Sequence, residues 1–266
     1  MKTTVKRATV RLSHNEMDYF TFGSGKRQMV ILPGMALKSI MNVAEGVASS
    51  YRLLSDEFTI TVFDRTKFLA ENYTLTQLAE DTAEAMQRLS IRNACVFGAS
   101  QGGVMAMIIA IMHPELVGRL ALGSTAARLD PMSAQVMDKW MELAEQRNLQ
   151  ALLDCFVSVL YGRDFAEKFG AFIKLSHQDV TEADFERFII LGKSFDTLDI
   201  YDRLEQIHCP TLVLGAIDDK VLTAQASFEI AQKLGCACYF YESKYGHCAF
   251  DEAPDYKQRL LDFFTL

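Results

Sequence analysis

The chain is 266 residues long and half apolar, with 34 acidic against 27 basic residues, a net charge of −7 and a pI near 5.3. That is enough chain to bury one large core, as a single domain or a domain with an insertion. An acidic balance argues against nucleic acid or an anionic membrane surface as the main partner, because both demand a basic patch.

The first residues, Met1-Lys-Thr-Thr-Val-Lys-Arg-Ala8, carry basic groups with no apolar region behind them, so no secretory leader is expected. The longest apolar run, Val104 to Met112, is too short to span a bilayer. The expected setting is the cytoplasm, with a small-molecule substrate as partner and a monomeric or homodimeric chain. Six cysteines (95, 155, 209, 236, 238 and 248) form no C-x-x-C pair and are expected as buried, reduced thiols. No metal and no cofactor are expected. Gly23-x-Gly25 precedes a strand and reads as a turn, and Gly102-Gly103 lacks the lysine of a phosphate-binding loop.

In chain order, residues 5–12 and 16–22 read as β segments, and the turn at Gly23-Ser24-Gly25 leads into a third, Gln28 to Leu32. Pro33-Gly34-Met35-Ala36 follows as a loop, then a helical pattern from about Ser39 to Leu54. A Gly-containing loop at a strand end suits an oxyanion-hole segment, whose N–H groups must point free of the sheet. Phe58 to Phe63 is a strand closed by Asp64-Arg65. Thr74 or Thr76 can cap a helix running to Leu89.

Next comes Cys95-Val-Phe-Gly-Ala-Ser-Gln-Gly-Gly-Val104, running on into an apolar helix that stops near His113-Pro114. Strand, one-residue tip and helix, with Ser100 at the tip and Gly98 and Gly102 beside it, reads as a nucleophile elbow. The turn is tight enough that a Cβ at 98 or 102 would clash, and it holds the serine in a strained conformation. His113 reads as a helix-end residue. Val117 to Gly123 is the next strand.

The alternation then breaks. From Pro131 to about Leu204 the pattern is helical, with faces at Val136, Trp140, Met141 and Ala144; at Leu149, Leu152, Leu153, Phe156 and Leu160; and at Phe185, Phe188, Ile189 and Phe195. Thr181-x-x-Asp184 reads as a capping box. The α/β alternation resumes at Cys209 to Ile217, a strand ending in Asp218-Asp219. A helix from about Thr223, a strand from Cys236 to Tyr241, the loop Glu242 to His247 and a last helix from about Pro254 complete the chain.

Ser100, Asp218 and His247 each follow the C-terminal end of a strand. In an open parallel sheet those ends share the edge where active sites form. A serine hydroxyl becomes nucleophilic when a neutral imidazole takes its proton, and a carboxylate holds that imidazole in the required tautomer. Backbone N–H groups of Gln101 and Met35 are expected to hold the oxyanion.

Leu32-Pro-Gly34, Gly98-Ala-Ser-Gln-Gly102, Cys209-Pro-Thr-Leu-Val-Leu-Gly-Ala-Ile-Asp218 and Gly246-His247 with Glu252-Ala-Pro254 together resemble an α/β-hydrolase of the lid-bearing type. That group includes esterases, lactonases, carbon–carbon bond hydrolases and proline iminopeptidase-like enzymes. The resemblance covers nearly the whole length. It implies an α/β fold with a mostly parallel central sheet of about eight strands and helices on both faces. Residues 1–126 and 206–266 would form that core, and 127–205 a helical lid. It also implies Ser100 as nucleophile, His247 as base and Asp218 as its carboxylate partner. Asp218 is favoured over Asp219 because it is first off the strand and fits the spacing Gly215-x-x-Asp218. The position after the preceding strand reads Gly123-Ser-Thr-Ala, with no acid before Asp130.

Two departures stand out. The oxyanion loop carries Pro33-Gly34 where relatives often have His-Gly. Asp64-Arg-Thr-Lys-Phe-Leu-Ala replaces a Gly-rich segment. The expected activity is hydrolysis of an ester, thioester, lactone or amide of a small, partly apolar molecule through an acyl-Ser100 intermediate. A carbon–carbon hydrolase or lyase using the same triad, and a receptor without turnover on the same fold, are the alternatives.

Overall fold

In a computed structural model describing residues 4–266, eight strands form one sheet. They are β1 (Lys6–Arg11), β2 (Glu16–Phe22), β3 (Arg27–Leu32), β4 (Phe58–Thr66), β5 (Ala94–Ala99), β6 (Val117–Gly123), β7 (Thr211–Ala216) and β8 (Ala237–Tyr241). Met1 to Thr3, part of the stretch read above for a leader, lie outside the described residues. The spatial order is β1-β2-β4-β3-β5-β6-β7-β8. β1, β2 and β4 pair antiparallel, and every pairing from β4 to β8 is parallel. The central strand β5 is buried at all six positions, whereas β1 at the edge is mostly exposed and carries Lys6, Arg7 and Arg11. Continuous apolar strands belong inside a sheet covered on both faces, and charged side chains discourage pairing at an edge.

Ten helices complete the described chain: α1 (Ala44–Ser50), α2 (Leu75–Arg88), α3 (Gln101–Met112), α4 (Pro131–Glu145), α5 (Leu149–Leu160), α6 (Arg163–Leu175), α7 (Glu182–Lys193), α8 (Ala224–Leu234), α9 (Ala249–Glu252) and α10 (Tyr256–Thr265). Buried residues of α2, α3 and α8 share one apolar cluster with the sheet, and those of α1 and α10 share the other. The helix expected over Ser39–Leu54 is broken. A 3-10 turn precedes α1 and another follows it, in a stretch where Asn42, Gly46, Ser49 and Ser50 are weak helix formers. α2 begins as read: Thr74 caps it, its hydroxyl accepting the Gln77 N–H at 3.2 Å while Gln77 Oε1 accepts the Thr74 N–H at 2.9 Å. His113 caps the end of α3 and pairs with Glu80 at 3.0 Å.

α4 to α7 lie between β6 and β7, and Trp140, Phe156 and Phe188 are packed in their own cluster. Trp140 meets Phe156 edge-on, ring centroids 4.9 Å apart. The two ends of this segment are pinned together, with the Ile200 N–H donating to the Ala127 carbonyl at 2.8 Å. The sequence showed three apolar faces here and the structure has four helices. The fourth is α6, where Phe165, Phe169, Phe172 and Ile173 recur at helical spacing although only Gly170 is fully buried and Phe172 is exposed. The cysteines also depart from expectation: all six are free, but only Cys95 and Cys248 are buried, Cys155, Cys209 and Cys236 are half-buried, and Cys238 is exposed on the edge strand β8.

Asp130 fastens α4 to the core. Its carboxylate accepts the N–H groups of Met132 and Ser133 at 2.8 and 2.9 Å and the Thr223 hydroxyl at 2.8 Å. Burial works to raise this carboxyl, but those donors outweigh it and hold it below the ordinary carboxylate value. Asp130→Ala is expected to cost about 1–2 kcal/mol, read as a lower urea midpoint. The contribution is complete above the unfolded pKa of about 3.9 and is lost as pH falls through the native value. The gap between wild type and variant should therefore close in acid.

Candidate active site

The order of the sheet reverses next to β3. The chain passes from β3 to β4 on one side, then returns to lay β5 on the other. Loops leaving the two strands diverge there, which opens a crevice at their carboxyl ends. Pro33 to Ala36 leaves β3 on one wall, and Ser100 leaves β5 on the other.

Ser100 has φ 52° and ψ −122°, a left-handed backbone that costs a non-glycine residue on the order of 1–3 kcal/mol. The surrounding chain enforces it. A Cβ on Gly98 would stand 2.3 Å from the Gly102 carbonyl oxygen, and one on Gly102 would stand 2.0 Å from that of Leu32. Backbone bonds hold the tip in register. The Ser100 N–H donates to Gly123 at 2.9 Å, and the Thr125 hydroxyl donates to the Ser100 carbonyl at 2.8 Å.

His247 is 2% exposed, and its Nδ1 lies 2.8 and 3.0 Å from the two carboxylate oxygens of Asp219. With Nδ1–H donating to that carboxylate, Nε2 is left as the acceptor, the state a general base requires. Asp219, not Asp218, is therefore the residue on the histidine. The β7 ladder runs one residue past its last strand position, with the Ile217 N–H bonded to Tyr241 at 2.9 Å. A turn closed by the Asp219 N–H on the Ala216 carbonyl at 3.2 Å then throws Ile217 and Asp218 outward and brings Asp219 back in. Asp219 is 6% exposed, and its Oδ1 also accepts the N–H groups of Val221 and Leu222 at 2.8 and 3.0 Å. Counting residues from the strand end fails because the turn consumes two of them.

The loop that carries His247 is tied down separately. The Glu252 carboxylate accepts the Gly246 N–H and, from the α5–α6 turn, the Gly162 N–H, each at 2.9 Å. Burial, the largest influence on that carboxyl, raises it above the ordinary glutamate value despite these donors. The Cys248 N–H donates to Leu160 at 2.8 Å.

Ser100 and His247 line one cavity of about 240 Å3, together with Pro33, Gly34 and Met35. Its remaining wall is mainly apolar, from Met137, Trp140, Phe156, Phe188, Phe195 and Phe250. A Cβ on Gly34 would stand 3.2 Å from that of Ser100, so the β3 loop passes directly beside the serine. Gln101 opens α3, and the first N–H groups of a helix have no partner within it. Met35 thus lines the cavity beside Ser100, and Gln101 follows Ser100 directly in the chain. His177 was not singled out by sequence, yet it lines the cavity beyond α6, its Nδ1 2.8 Å from the Ile173 carbonyl.

A second feature escaped the sequence reading. Arg65, 4% exposed, donates to the Pro33 carbonyl at 2.6 Å and to Gln101 Oε1 at 3.0 and 3.1 Å. Desolvation lowers its guanidinium to about 10, the Arg187 cation acts in the same direction and Asp64 acts against both. It therefore remains a cation at neutral pH. The signal was the Asp64-Arg65 pair at the end of β4, which stands where the resemblance has a Gly-rich segment.

Among the described residues, no helix is long and apolar enough to cross a membrane. The sequence matches the family of the alpha/beta hydrolase fold over residues 46–254. A Rhizobium rhizogenes RutD protein, whose name assigns it carbamate hydrolysis, is 30% identical over 169 residues, covering 61% of this chain and 63% of its own. The 3-oxoadipate enol-lactonase 2 of Acinetobacter baylyi is 23% identical over 78% of this chain and 77% of its own. The crystal structure of the enol-lactonase from Burkholderia xenovorans superposes with a TM-score of 0.83 at 23% identity, covering 97% of this chain and all of that one. The chain belongs to the α/β-hydrolase fold family and is an enzyme of the hydrolase class.

Proposed function

We propose that the chain is a serine hydrolase that cleaves an ester, thioester, lactone or amide of a small, partly apolar molecule. The observation that carries this is His247, fixed through Nδ1 on Asp219 and sharing one cavity with the strained Ser100. In this reading His247 Nε2 takes the Ser100 proton as Oγ attacks the carbonyl carbon. Backbone N–H groups of Gln101 and Met35 hold the oxyanion, and the protonated imidazole then gives its proton to the leaving group. Water, deprotonated by the same histidine, cleaves the acyl-serine and restores the site.

The cavity's size and apolar wall support a small, partly apolar substrate. The names of the relatives, a carbamate hydrolase and two enol-lactonases, support a carboxyl-derived bond as the one broken. Residues 127–205 act as the lid, since Met137, Trp140, Phe156 and Phe188 from this segment form the wall facing Ser100.

The test is pre-steady-state hydrolysis of short p-nitrophenyl esters with intact-mass readings during the burst. A burst of one nitrophenolate per chain, with one acyl group gained by the protein, is expected. Slow turnover with no acyl group on the chain would favour carbon–carbon bond chemistry with the same residues. Neither turnover nor adduct would favour a receptor.

A further inference from the structure

We propose that Arg65 is a positioning residue that fixes the two backbone segments of the oxyanion hole relative to each other; this rests on the acyl-transfer reading above. The two segments belong to different strands: Pro33 to Met35 leaves β3, and Gln101 follows β5. The ladder holds Leu32 against Gly98, but beyond Leu32 the loop is off the sheet. One planar guanidinium crosses that gap. Its Nη2 donates to the Pro33 carbonyl at 2.6 Å and lies 3.4 Å from the Gly34 carbonyl, while Nε and Nη2 both reach Gln101 Oε1.

The Gly34 carbonyl and the Met35 N–H belong to one planar, trans peptide unit and so point in opposite directions. Holding that carbonyl on the Arg65 side fixes where the Met35 N–H points. A donor that also polarises the carbonyl strengthens the N–H on the far side. On the other segment, Gln101 is gripped through its side chain, which leaves its backbone N–H to the oxyanion. The Gln101 amide nitrogen donates onward to the Leu191 carbonyl at 2.8 Å and the Ser194 hydroxyl at 3.3 Å, where α7 ends.

The charge inventory favours this role over packing. Desolvating a cation is costly, and an apolar side chain of similar volume would fill the space as well or better. Asp64 is the carboxylate beside Arg65, and it is shared. It accepts the backbone N–H of Arg65 at 2.7 Å, the Arg187 guanidinium of α7 at 2.6 Å and the Ser39 hydroxyl. Arg65, Asp64, Arg187 and Gln101 thereby join α7, the end of β4, the β3 loop and the elbow in one network. The hole is built before substrate arrives, as electrostatic preorganisation requires.

The experiment measures kcat and KM for p-nitrophenyl butyrate, and inhibition by a trifluoromethyl ketone, in wild type, Arg65→Met, Arg65→Lys and Gln101→Leu. Arg65→Met is expected to lower kcat about 100-fold, as a misplacement near 1 Å does, with KM changed no more than about threefold. The ketone, whose serine adduct carries the oxyanion, should weaken by a similar factor, and Arg65→Lys should recover part of both. Gln101→Leu keeps the backbone N–H and cuts one anchor, so about a tenfold loss in kcat is expected, and it decides the matter if Arg65→Met does not fold. A folded Arg65→Met, or failing that Gln101→Leu, with wild-type kcat and ketone affinity overturns the inference while leaving a labelled Ser100 intact. A wild type that forms no Ser100 adduct overturns the acyl-transfer reading, and this inference with it.

Discussion

Asp219→Asn is expected to lower kcat about 10^4-fold, the loss seen when an asparagine presents the wrong tautomer to a triad histidine, and Asp218→Asn to change it less than about twofold. The contrast between neighbours follows from the turn after β7. Asp219 is buried against His247 Nδ1 and anchored by two backbone N–H groups, while Asp218 faces solvent. An asparagine at 219 can still accept those N–H bonds through its carbonyl, so the fold should survive. It can also accept from Nδ1–H, but it carries no charge to stabilise the imidazolium and can instead turn its NH2 toward Nδ1, which moves the proton to Nε2. Steady-state kinetics on both variants, with thermal unfolding as the control, separates the two residues cleanly. Equal losses at 218 and 219 would contradict the placement of the carboxylate.

Ser100→Ala is expected to reduce kcat about 10^5–10^6-fold, with residual turnover from binding and the oxyanion hole alone. The fold should be nearly indifferent to it, because alanine at φ 52° carries the same backbone strain as serine and removes no helix-capping bond. Ser100→Gly should be equally inactive but more stable, by about 1 kcal/mol, because glycine adopts this conformation without penalty. An inactive enzyme that gains stability is what a strained catalytic residue predicts. Loss of both activity and stability in Ser100→Gly would mean that the serine serves the fold instead.

Much of this was legible in the sequence because it depends on local chemistry. The inner apolar strands, the helix caps at Thr74 and Thr181 and the glycines around Ser100 are each set by residues a few positions apart. Asp219 was misread because a turn closing on Ala216 is tertiary information: Asp-Asp after a strand offers two carboxylates and no way to count the turn. α6 was as legible as its neighbours, since Phe165, Phe169, Phe172 and Ile173 recur at helical spacing; only its shallow burial, with Gly170 alone fully buried, sets it apart. The Asp64-Arg65 pair stood out as a departure, but the role of Arg65 was not legible because its partners, Pro33 and Gln101, lie 32 and 36 residues away. His177 reaches the cavity only once the helical segment has folded over the sheet edge.

The central claim is that Ser100 is an activated nucleophile, and intact-mass spectrometry after fluorophosphonate treatment tests it most directly. Wild type should gain one phosphonyl group and Ser100→Ala none, with Asp219→Asn labelled far more slowly than wild type and Asp218→Asn at the wild-type rate. A folded wild-type chain that takes up no phosphonyl group, or an alanine variant that is labelled as fast as wild type, would contradict it.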